Sequence, residues 1–144
     1  MGEAEVAALL ASGDLERVEA DPVTAGREIA AAARHVESAS RLADDDPSAG
    51  FAIGYDAVRK AVTAHMRARG LRARTAGGHH RRIGRYAVAA LDGEDIAMHV
   101  EAFDQLRRLR NQSQYDGLEV EPSEVREIVV HARAIVAAVR EDLA

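Results

Sequence analysis

Apolar residues recur along this chain every three or four positions, the spacing that lays them along one face of an α-helix. The last segment shows it most plainly. Val125, Ile128, Val129, Ala132, Ile135, Val136 and Val139 form one stripe, and Pro122 suits the first turn of the helix that carries them. Before it, Ile96, Val100, Phe103, Leu106 and Leu109 mark a helix that starts near Asp92 to Asp95 and stops by Gly117. Its first acids sit favourably at the positive end of the helix dipole. Phe51, Tyr55, Val58, Val62 and Met66 define a third, opened by Pro47 and Ser48 and ended by Gly70. Ile29, Ala33, Val36 and Ser40 share a face of an Ala-rich helix that starts after Pro22 and runs to about Ala43, where "DDDPS" breaks it. "HHRRIGRYAVAAL", between Gly78 and Asp92, reads as a shorter helix. The first twenty residues read as one or two short helices, an N-terminal extension over residues 1–20.

No run of useful length alternates apolar with polar residues, so the pattern gives no strand signal. It predicts an all-α, antiparallel up-down bundle of four to five main helices, in a single domain over residues 1–144. Composition agrees. With two Phe, three Tyr and no Trp, the core must be built from Ala, Val, Leu and Ile, which favours close-packed helices over a sheet. A chain of 144 residues buries roughly two-thirds of its unfolded surface and needs no covalent staple. The absence of cysteine excludes disulfides and thiolate metal sites. No apolar run approaches the ~20 residues that span a bilayer. "MGEAEVAALLASGDLE" carries early acids and no basic leader. The expectation is a soluble, cytoplasmic protein with no membrane partner.

Charge complicates this picture. The formal net charge of −5 argues against indiscriminate nucleic-acid binding. Yet from Ala57 to Leu91 there is no acid, while Arg59, Lys60, Arg67, Arg69, Arg72, Arg74, Arg81, Arg82 and Arg85 supply nine cations. That leaves −14 on the remainder. Such a patch on an acidic body can hold phosphates while the rest discourages loose binding. Equally, the guanidinium groups can simply solvate two helix ends and a loop. The loop "RGLRARTAGGHHRR" has glycines for a sharp turn and no nearby acid in sequence to neutralise it.

Few motifs carry chemistry. Adjacent His79 and His80 on a helix point about 100° apart, and no acid lies nearby, so no metal site is expected. Gly77 and Gly78 are not followed by Lys-Ser or Lys-Thr, so there is no phosphate loop and no cofactor is implied. His99, four residues after Asp95, reads as half of a surface pair; His35 and His131 read as packing or surface residues. One stretch remains, "LRRLRNQSQYDG" from Leu106 to Gly117. Leu106 and Leu109 belong to the apolar stripe. Arg107, Arg110 and Gln114 share one flanking face, and Arg108, Gln112 and Tyr115 another. Cations at a helix C-terminus are also what the dipole alone favours.

"RLRNQSQYDG" near the end of the penultimate helix, followed by a long amphipathic helix, resembles the HEPN superfamily of small helical proteins. Its signature is an Arg, a polar follower, then a His after four to six intervening positions. Arg110 matches the Arg, Asn111 the polar residue, and Tyr115 falls where the His would be. "YDAVRKAVTAHMRARGLRARTAGGHHRRIGRY" is similar to one branch in which "GHH" follows a "GLR" turn. The resemblance covers roughly Asp21 to Leu143. It implies a helical bundle that pairs as a homodimer, with the motif residues of both subunits lining a shared cleft. Many such proteins are metal-independent ribonuclease toxins; others only bind RNA, nucleotides or proteins. The departure falls on the proton carrier, since imidazoles exchange protons near neutral pH and phenols near 10. Unless His79 or His80 folds into the cleft, a general base is missing. The expectation is a homodimer binding RNA or a nucleotide without catalysis. Arg110 and Tyr115 stand at the catalytic positions, with Asn111, Arg107, Gln114, His79, His80, Arg81 and Arg82 as RNA or nucleotide contacts. An active ribonuclease toxin, or a module binding an antitoxin or nucleotidyltransferase partner, are the alternatives.

Overall fold

A computed structural model describes residues 2–115 and 117–144, with backbone alone for 112–115. Among these, six helices and one two-stranded ribbon follow in the order α1 (Glu3–Ser12), β1 (Leu15–Arg17), α2 (Pro22–Leu42), α3 (Pro47–Ala68), β2 (Leu71–Ala73), α4 (His79–Ala90), α5 (Glu94–Tyr115) and α6 (Pro122–Asp142). The chain is an all-α bundle. Its three prolines all open helices, at α2, α3 and α6, where a missing N–H costs nothing. Asp21 and Asp46 cap the first two by accepting the Thr24 and Ala49 amides at 3.0 and 3.3 Å. The Glu124 carboxylate accepts the Glu121 amide at 2.9 Å at the start of α6.

α2, α3 and α6 enclose the main core. All seven apolar positions of the α6 stripe are buried. A Cβ added at Gly50 would stand 3.0 Å from Val125 Cγ1, and one at Gly54 3.1 Å from Ile128 Cγ2, so α3 lies against α6 with little to spare. Contacts along the helices fix their directions. Arg67 meets Glu28, Arg133 meets Glu37 at 3.0 Å and Arg126 meets Asp44, so α2 runs opposite to α3 and α6. His99 on α5 meets His131 on α6, and Arg110 meets Glu124, so these two are antiparallel. α4 runs alongside α3, its His80 beside Tyr55 and its Tyr86 beside His65, and fills the gap between α3 and α5.

Three details depart from the sequence pattern. First, α2 buries Ala25, Ile29, Ala32, Val36 and Ala39, not Ala33 and Ser40; an alanine run carries little information about phase. Second, the ribbon pairs Leu15 with Ala73 and Arg17 with Leu71. Three-residue strands are too short to show alternation, and their partners lie far apart in sequence. Gly70 joins α3 to the ribbon at φ +70°, and a Cβ there would lie 2.7 Å from the Val18 carbonyl oxygen, a position only glycine tolerates. Third, Leu109 is 62 % exposed while Arg110 is only 8 % exposed. Steps of three undershoot a helical turn, so over nine residues the stripe drifts by about half a turn from Val100. Arg110 then falls between the directions of Phe103 and Leu106, facing inward.

Candidate functional site

The N-terminal end of α3, the C-terminal part of α5, the start of α4 and the segment leading into α6 surround an open cleft of about 1120 Å³. Arg110 lies at its floor. The guanidinium Nη2 donates to the Leu118 carbonyl, and Nη1 stands 3.8 Å from Glu124 Oε2. Nε is buried and finds no acceptor among the described residues. Glu124 is a divided partner, because its other oxygen already accepts the Glu121 amide. Among the described residues, Arg110 is thus a buried cation held by a carbonyl and a distant carboxylate, with its Nε–H unpaired.

The other cations of the cleft are more fully engaged. Arg59 binds Asp56, and Arg107 donates to Asp104 Oδ1 at 3.0 Å. Partial burial pushes the Asp104 carboxyl up, but hydrogen bonds from Arg108 and Arg107 outweigh it and hold it below its ordinary value. Asp45, Asp46 and Glu119 stand in the lining as well. The cleft therefore presents a cationic floor and an acidic rim. Tyr55 projects into it with its hydroxyl 3.4 Å from His80 Nδ1, and its ring stacks on Phe103 with centroids 5.5 Å apart.

No known protein-family model, curated protein or solved structure matches this chain. Its chemistry has to be read from the cleft.

The cleft gathers four of the residues singled out in sequence, Arg107, Arg110, Asn111 and His80. The side chains of Gln114 and Tyr115 lie outside the described residues. The other three stand elsewhere. His79 places Nδ1 3.2 Å from the Arg74 carbonyl and lines a separate cavity of about 570 Å³ against β2 and the end of α3. Arg82 closes the loop before α4, donating to the carbonyls of Arg74, Ala76 and Gly77 and pairing with Asp14 at 3.1 Å. Arg81 is exposed on the first turn of α4. Among the described residues, four of the nine cations of the acid-free span meet acids that are distant in sequence. Arg67 binds Glu28, Arg72 binds Glu16, and Arg82 and Arg85 share Asp14. The Asp14 carboxyl is held below its ordinary value, first by the hydrogen bond from Arg82, then by Ser12. A purely structural Arg110 would be tied in an intrachain ion pair and would line no cleft; here the pair exists but is long, and the cleft is open.

Sequence reasoning missed Tyr55 as a cleft residue, because it sits on an apolar stripe; Arg59, read only as part of the basic span, also lines the cleft. Sequence reasoning also missed a buried cluster at the opposite end of α3. His65 places Nδ1 2.7 Å from the Tyr86 hydroxyl and Nε2 3.2 Å from Asp142 Oδ2. His65 and Tyr86 are fully buried. The visible signal was that His65 follows Val62 by three, on the core face. Among the described residues, no group of three or more His, Asp or Glu side chains is placed to hold a metal ion, and no helix is long and apolar enough to cross a membrane.

Proposed function

We propose that the chain is a HEPN-like domain whose cleft binds RNA or a nucleotide through Arg110, in a homodimer and without catalysis. The observation that carries this reading is the state of Arg110. A guanidinium nine-tenths buried, with an unpartnered Nε among the described residues, has lost its water without full compensation. Phosphate oxygens supply the acceptors and the charge such a group needs. Arg107 and Asn111 stand on the same cleft wall to extend the contact. Leu118, in the cleft lining, is 59 % exposed, apolar surface that a second copy could cover; the homodimer otherwise rests on the resemblance.

Fluorescence anisotropy with a short labelled single-stranded RNA tests the reading. Binding is expected at low salt, falling as salt rises. Arg110→Lys, which keeps the charge but not the fork, should weaken it severalfold, and Arg107→Ala should do likewise. Absence of binding at low salt, or affinity indifferent to both changes, removes the proposal. Sedimentation then tests the homodimer independently.

A second reading has one specific observation in its favour. His80 does enter the cleft that holds Arg110. An imidazole there can take the proton of a ribose 2′-hydroxyl as it attacks the adjacent phosphorus and breaks the bond to the 5′-oxygen, which takes a proton from water, giving a 2′,3′-cyclic phosphate and a free 5′-hydroxyl. In that case purified protein cleaves RNA in the presence of a chelator, and His80→Ala stops it. RNA left intact at high protein concentration decides for binding alone.

A further inference from the structure

We infer that Tyr55, backed by Phe103 and flanked by His80, is a stacking subsite for one unpaired nucleobase whose phosphate reaches Arg107 and Arg110. The inference rests on the reading of the cleft as a phosphate site and adds the part that recognises a base.

Three rings from three helices form a short ladder from core to solvent. Phe103 and Tyr55 are stacked at 5.5 Å with planes 23° apart, and Tyr55 and His80 stand 6.3 Å apart with planes tilted by 36°. Phe103 and Tyr55 are half-buried and His80 is exposed. In a chain with only five Phe and Tyr residues, this places aromatic surface where the buried arginine lies. The hydroxyl contact places His80 at the edge of the Tyr55 ring, tilted by 36°, so the imidazole flanks a base laid against Tyr55 and does not face it across a slot. His80 is the ring free to adjust, since it is exposed and its bond to the Tyr55 hydroxyl is long at 3.4 Å. Behind the rings lies a small, mostly apolar cavity of about 30 Å³ that shares Tyr55, Arg59, His80 and Arg107 with the cleft. The ladder therefore has slack on its inner side.

The helix supplies the spacing. Phe103, Arg107 and Arg110 follow one another along one side of α5, with Arg107 about 6 Å and Arg110 about 10 Å further along the axis than Phe103. Flexible arginine side chains let a single nucleotide cover that reach from base to phosphate. The acidic rim of Asp45, Asp46 and Glu119 opposes a long polyanion laid across the cleft. A duplex also hides the base faces that the rings would take. The shared chemistry is one base with its phosphate, from a free nucleotide or from an unpaired position in a strand.

The probe is 2-aminopurine riboside 5′-monophosphate, whose fluorescence falls on stacking and is read without tryptophan interference. Ribose 5-phosphate is the base-free competitor. The full-length protein should quench the probe and bind it about tenfold or more tighter than ribose 5-phosphate. Tyr55→Phe should keep that advantage, and Tyr55→Leu should abolish it. His80→Ala, at an exposed position that does not threaten the fold, should reduce it severalfold and decides the matter if Tyr55→Leu unfolds. A single-stranded RNA carrying one 2-aminopurine should be quenched more strongly than the same strand in a duplex. Tighter binding of the strand than of the mononucleotide assigns the source to RNA; equal binding assigns it to the free nucleotide. If both phosphates bind equally without quenching, while Arg110→Lys weakens both, the stacking subsite falls and the phosphate site stands. If neither phosphate nor RNA binds, both fall.

Discussion

Acidification from about pH 7.5 to about pH 5 is expected to weaken the fold, with His65 the main cause. The ring is fully buried. With its proton on Nε2 and donated to Asp142, its Nδ1 accepts the Tyr86 hydroxyl, so the neutral ring satisfies both partners. A second ring proton would point at that hydroxyl, whose own pKa is pushed up to about 12, chiefly by burial. Burial, then the positive charge of Arg69, holds the His65 pKa below 6.5; Asp142 pulls the other way but less strongly. The Asp142 side chain is 41 % exposed, so water screens it. The unfolded chain takes up the proton near 6.5, whereas the folded chain refuses it until a lower pH. The stabilisation is therefore complete above the unfolded value and is lost as pH falls below it toward the folded one. Each pH unit in that window costs about 1.4 kcal/mol. With a urea slope of about 2 kcal/mol per molar, the unfolding midpoint should drop by roughly 0.7 M per unit. His131, also lowered by burial and then by His99, adds to the loss. Asp14, Asp21, Glu37 and Asp104 are all held below ordinary carboxylate values and titrate beneath this window. Urea unfolding followed by helical circular dichroism at several pH values reads the effect. His65→Gln, which keeps polar groups but cannot titrate, should flatten the dependence. A midpoint that does not move between these pH values, or moves equally in His65→Gln, refutes the reasoning.

Three further outcomes can be measured. Gly70→Ala should cost about 2 kcal/mol or more in thermal or urea unfolding, since φ is +70° and the new Cβ meets the Val18 carbonyl at 2.7 Å; a neutral substitution would contradict the geometry of the α3–ribbon junction. Leu109→Gln should change stability by no more than about 0.5 kcal/mol, whereas Val100→Ala on the same helix should cost about 2 kcal/mol; the reverse order would restore Leu109 to the core. Asp14→Asn should speed amide hydrogen exchange in the first turns of α4 and in the loop before it, because Arg82 and Arg85 both rest on that carboxylate; unchanged protection there would show that the backbone carbonyls alone hold Arg82.

The helices were legible because their signals agree. Prolines and aspartates opened α2 and α3 where the apolar stripes began, and the seven-residue stripe of α6 was buried in full. Large aliphatic side chains fix a helix's phase; the alanines of α2 do not, and there the inward face was misread by one position. The ribbon was illegible for a different reason. Each strand has three residues, and what pairs them is a contact between the start of the chain and its middle. The ion pairs of Ala57–Leu91 were illegible for the same reason, since the acids that meet four of its cations, Glu28, Glu16 and Asp14, are remote in sequence and close in space.

The site was half legible, and α5 shows why. A stripe read by steps of three places leucine 109 inward and arginine 110 on the flank. The helix advances about 100° per residue, so each such step falls short of a full turn by about 60°. The shortfall accumulates until leucine and arginine exchange roles. One rotation thus produces two features together, a buried guanidinium in the lining of a cleft and an exposed leucine on the neighbouring helix face. Of the two, the buried arginine is the informative one, since a guanidinium is costly to bury while a single exposed leucine is ordinary. The motif around Arg110 marked the residue, but its chemistry comes from that phase, which the sequence carries only when the whole helix is read at 3.6 residues per turn.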